Sequence, residues 1–76
     1  MARPLQTGMK IRVNLHKIEE YPALAREFKA AVEKVGGDLE NTTGMIQNIF
    51  PTGFVEVNIE GTNVNFLVHE MFVYEI

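Results

Sequence analysis

The chain has 76 residues and a formal net charge of −3, with no cysteine and no tryptophan. That length holds one domain near the lower limit for a self-sufficient core, and the missing thiols exclude disulfides and thiolate metal sites, so packing or self-association must hold it. No apolar run approaches the roughly 18 residues of a membrane span, and the first ten residues lack the apolar segment of a signal peptide, so a cytoplasmic protein without a membrane partner is expected.

Charge is unevenly distributed. All seven bases (Arg3, Lys10, Arg12, Lys17, Arg26, Lys29, Lys34) fall within the first 34 residues, where four acids leave +3. From Val35 onward there are six acids and no base, leaving −6. Such an asymmetry predicts a molecule with two electrostatic poles.

In chain order, residues 1–8 hold Pro4 and no periodicity and read as a flexible tail. Met9, Ile11, Val13 and Leu15 then alternate with polar residues, the period-2 pattern of a half-buried strand. Residues 16–20 read as a polar connection. Over 21–35, Leu24, Phe28, Ala31, Val32 and Val35 recur at helical spacing, Pro22 suits the first turn, and Gly36-Gly37 supplies the stop.

After a polar loop, strands are expected at 44–50 and 54–60, joined by Pro51-Thr52-Gly53. Ile46 and Ile49 stand three apart, so a bulge near Gln47-Asn48 is needed to turn both inward. Gly61-Thr62 reverses the chain into a strand at 62–69 with Val64, Phe66 and Val68 inward. A single turn at His69-Glu70-Met71 precedes a last strand at 72–76. The expected core is Ile11, Val13, Phe28, Val32, Ile46, Val57, Ile59, Val64, Phe66 and Val73. Five short strands with tight turns suit a small closed or partly open barrel.

This order resembles the SH3-like small β-barrel superfamily. Strand one, a long excursion, three meandering strands, one 3-10 turn and a fifth strand follow in sequence. Val68-His69-Glu70-Met71-Phe72-Val73-Tyr74-Glu75-Ile76 is similar to the ending of such barrels. Thr43-Gly44-Met45-Ile46-Gln47-Asn48-Ile49, followed by Phe54-Val55-Glu56-Val57, is similar to the KOW-type strand pattern. The departure is the helix at 21–35, inserted between strands one and two. The resemblance implies a non-enzymatic adaptor that binds peptides, methylated tails, nucleic acid, RNA polymerase surfaces or other proteins. Without a tryptophan or an acidic first loop, proline-rich peptides are not the expected ligand.

The residues themselves argue against catalysis: cysteine and serine are absent, and neither His16 nor His69 has a ligand or acid at useful spacing. Neither cofactor nor metal is expected. Protein binding is the first expectation. Phe50, Phe54, Leu67, Met71 and Tyr74 lie out of phase with the core and, with His69 and Glu70, form a candidate interaction patch. The acids Glu56, Glu60, Glu70 and Glu75 would let an acidic, apolar face meet a basic partner surface. A viral, phage-type modulator or inhibitor of a host enzyme fits that size and charge. The alternative is a KOW-like nucleic-acid-binding or transcription-associated protein using Arg3, Lys10, Arg12 and Lys17 on phosphates. Self-association as a homodimer through an unpaired strand edge is the third expectation.

Overall fold

The structure is a computed structural model that describes residues 4–76. Five antiparallel strands form one sheet: β1 (Lys10–Val13), β2 (Thr43–Ile49), β3 (Phe54–Ile59), β4 (Asn65–His69) and β5 (Val73–Glu75). Helices α1 (Leu15–Ile18) and α2 (Pro22–Lys34) lie between β1 and β2, and a 3-10 turn (Glu70–Phe72) joins β4 to β5. The strand order is β4-β3-β2-β1-β5. Of the closed or partly open barrel expected, closure is not found: the five strands form one open sheet in which β4 and β5 are the two ends and do not pair with each other. The physical reason is local. Three residues of 3-10 turn separate the two strands, and β5 is itself only three residues long, with β1 on one edge.

The alternation resolves into two faces. Ile11 and Val13, Gly44 and Ile46, Val55, Val57 and Ile59, and Phe66 and Val68 point inward and are buried. Onto them α2 lays Ala25, Phe28, Ala31 and Val32, with the Phe28 and Phe66 rings 5.3 Å apart. Tyr21, the residue before α2, stacks on Phe72 at 5.2 Å, so the helix begins beyond the C-terminal end of β4 and runs back along it. Pro22 at its first turn costs no hydrogen bond.

Most of the expected core is buried, but Val64 and Val73 are only half-buried, because each sits where a strand meets a turn. Two further expectations are corrected. Residues 16–20 are not an irregular connection: Asn14 caps α1 by accepting from the Lys17 N–H, and this one turn drives Ile18 into the core at 0% exposure. Residues 4–8 dock through Leu5, and the Gly8 N–H donates to the Ile46 carbonyl at 2.7 Å. Among the described residues no helix is long and apolar enough to cross a membrane.

The loop between α2 and β2 is shaped by Asp38. Its carboxylate accepts from the Asn41 amide at 2.7 Å and the Glu40 N–H at 3.1 Å, which together hold its pKa below the ordinary value.

Candidate functional site

The site begins at the β2–β3 hairpin. Phe50 N–H donates to the Phe54 carbonyl, and Gly53 takes φ +92°, a conformation side chains other than glycine's rarely adopt. Glycine is needed there for a second reason. A Cβ on Gly53 would lie 2.7 Å from His69 Nε2, because the imidazole is laid against the turn. The Glu70 N–H donates to the Gly53 carbonyl at 2.8 Å, so hairpin and 3-10 turn are locked together.

His69 is the hinge of this arrangement. Its Nδ1 accepts the Met71 N–H at 3.2 Å, which caps the 3-10 turn and requires the lone pair of the neutral ring at that nitrogen. Its ring meets Phe54 edge-on at 5.2 Å and Phe72 at 6.4 Å. A structural imidazole of this kind needs no catalytic partner to explain it, and among the described residues no cluster of metal-ligating side chains exists.

Beside it opens a groove of about 530 Å³, lined by Pro4, Leu5, Ile49, His69, Glu70, Met71 and Val73. Ile49 is 40% exposed and Met71 45%. The bulge expected near Gln47-Asn48 is present between Ile46 and Asn48, and it aligns Ile49 with the buried Val55 across the hairpin. Yet Ile49 is not core, contrary to expectation: it stays 40% exposed and becomes a groove wall. Sequence reading missed Leu5, Ile49 and Val73 as site residues. The Gly8-to-Ile46 bond, a long-range contact without a local signature, brings Leu5 to Ile49, while Val73 follows directly from the 3-10 turn.

The expected interaction patch is thus divided. His69, Glu70 and Met71 line the groove. Phe50, 40% exposed, and Phe54, half-buried under His69, stand at the adjoining hairpin. Leu67 and Tyr74 are exposed on the sheet's outer face: Leu67 is on β4 opposite Glu56, two residues from His69 on the same face, and Tyr74 is on β5 opposite Arg12. Three strands separate them.

The rest of that outer face is polar and largely self-satisfied. Glu56 accepts from Asn48 at 2.6 Å and from Asn65 at 3.4 Å, while the Asn58 amide donates to Asn65 at 2.8 Å. Glu60 accepts the Thr43 hydroxyl and pairs with Lys10 at 3.1 Å. These two contacts, Thr43 first, hold its pKa below the ordinary carboxylate value. The bonds therefore contribute stability above the unfolded-state pKa, and that contribution is lost as pH falls through the lowered folded value. In a carboxyl NMR titration, Thr43→Val and Lys10→Met are each expected to raise the Glu60 pKa. An unchanged Glu60 pKa in either variant would contradict the assigned contacts.

Of the candidate basic stripe, Lys10 and Arg12 share the outer face of β1, Lys17 sits apart on α1, and Arg3 lies outside the described residues. Lys10 is committed to Glu60, and Arg12 is half-buried, with its Nε enclosed and without a hydrogen-bond partner. Comparison with known proteins adds no relative: no family model, no curated protein and no solved structure matches the chain.

Proposed function

We propose that this chain is a non-enzymatic protein-binding module whose site is the groove between the β2 end and the 3-10 turn. The observation that carries the reading is the pairing of two half-exposed apolar walls, Ile49 and Met71, with one acid, Glu70, across a concave surface. Apolar anchors in a concavity supply affinity, and a rim carboxylate selects a partner segment with a basic flank. The strand order and the 3-10 turn before β5 support an SH3-like reading of the sheet, with α2 taking the place of the first loop. A small module of this kind suits a modulator that docks on a basic surface of a host enzyme.

The nucleic-acid reading has less to draw on. Phosphate binding needs uncommitted cations, and the β1 pair offers Arg12 with Lys10 already neutralised by Glu60. Immobilised protein is expected to retain a protein partner after nuclease treatment, and Met71→Lys is expected to lose it without change in fold, because Met71 is exposed. Equal retention by Met71→Lys, or recovery of nucleic acid alone, would overturn the proposal.

A further inference from the structure

A second surface, which meets the groove at His69 alone, is the outer edge of β4. The hydrogen-bonding parity of the β3–β4 ladder follows from its two ends: Ile59 N–H donates to the Val64 carbonyl, and Glu70 N–H donates to the Gly53 carbonyl. With the printed register, Phe66 and Val68 therefore bond to β3, while the N–H and C=O groups of Asn65 and Leu67 point away from it. Among the described residues nothing bonds to them. Nor can α2 satisfy them, since the side of a helix offers no free backbone groups. α2 leaves a cleft of about 190 Å³ beside the edge, lined by Glu27, Ala30, Ala31 and Lys34 of the helix and by Val64, Asn65 and Phe66.

Natural sheets protect such edges with lysine, proline, bulges or inward charges. β4 carries none of these: its sequence is Asn-Phe-Leu-Val-His, without lysine, arginine, proline or carboxylate, and its ladder with β3 is regular. At the same position Leu67 stands 42% exposed on the outer face.

We infer that β4 is the seam of a two-fold homodimer, in which it pairs antiparallel with β4 of a second copy about Leu67. A second copy is the occupant because the strand is complementary to itself. Centring the axis on Leu67 lets all five residues pair without overhang. It sets Leu67 against its own counterpart, covering both exposed side chains, and sets Asn65 opposite the other copy's His69, a pair with no charge repulsion. The same operation on β5, centred on Tyr74, would leave only three residues to pair. Two sheets then run on as one of ten strands, which adds core support to a domain of only 76 residues.

The test is the mass in solution. Sedimentation equilibrium is expected to give a species of twice 8.6 kDa that dissociates on dilution. Leu67→Lys, which sets two like charges face to face, is expected to weaken association at least about tenfold. Leu67→Pro should do the same while leaving the β3 ladder intact, since the lost N–H faces outward. Circular dichroism checks that both variants stay folded. Because the chain has no cysteine, Leu67→Cys is expected to form a single inter-chain disulfide on oxidation, whereas Thr52→Cys at the hairpin tip is not. A chain that stays monomeric up to about 1 mM, where even weak dimers populate, overturns the inference. So does a dimer indifferent to both Leu67 variants. Neither variant touches Ile49 or Met71, so loss of the dimer with partner capture retained separates this inference from the groove reading.

Discussion

Phe66→Ala is expected to cost about 3–5 kcal/mol, the range for emptying a buried phenylalanine site. A domain of this size is stable by about 4–11 kcal/mol, so the variant should be unfolded or close to it at room temperature. The ring is 5% exposed and packs on Phe28, itself fixed in the middle of α2, so its loss detaches the helix from β4. Leu67→Ala, one residue on, is the control in melts at protein concentrations too low for dimerisation: that side chain faces outward and its truncation should change stability by less than about 1 kcal/mol. Urea melts followed by circular dichroism read both. If Leu67→Ala proves the costlier, the strand is in the opposite register.

Gly44→Ala should be nearly as damaging, although no special φ is required there. Gly44 pairs with Ile59 in the centre of the sheet, and a Cβ on it would lie 2.3 Å from Val57 Cγ1 and 3.0 Å from the Asn58 carbonyl oxygen. The methyl must push a buried side chain and a backbone group aside, an overpacking cost of about 1–3 kcal/mol. Removing the obstructing methyls with Val57→Ala should offset part of that cost. The double variant is expected to be more stable than the two single losses summed, and strict additivity in denaturant melts would contradict the close approach.

Those two positions show which parts of the fold can be read from residues. Phe66 and Val57 announce themselves through alternation, and α2 through its apolar stripe between Pro22 and Gly36. Gly44 offers only the hint that glycine interrupts a strand, because what it touches is 13 residues away. Ile18 lies in a single turn too short for any period to emerge, and only the Asn14 cap marks it. Phe72, 1% exposed, reads as the start of a strand until the 3-10 turn rotates it into the core.

The candidate site is legible in part for the same reason. His69, Glu70 and Met71 are adjacent in sequence and break the pattern together, so one local signal finds all three. Leu5 and Ile49 join them only because the segment before β1 bonds to β2. Leu67 and Tyr74 share with Met71 the property of being apolar and out of phase, but being out of phase identifies the outer face of a sheet, not a position on it. Whether the sheet closes is likewise decided by the length of β5 and the turn before it, to which alternation is blind.

The account rests on the groove as the place where a partner protein is held. An amide correlation spectrum of the labelled chain, titrated with the protein that the wild-type chain captures, tests it most directly. Perturbations concentrated at Ile49, Phe50 and His69 to Val73 are the expected result. Perturbations concentrated instead at Lys10, Arg12 and Tyr74, with the groove amides unmoved, would contradict it.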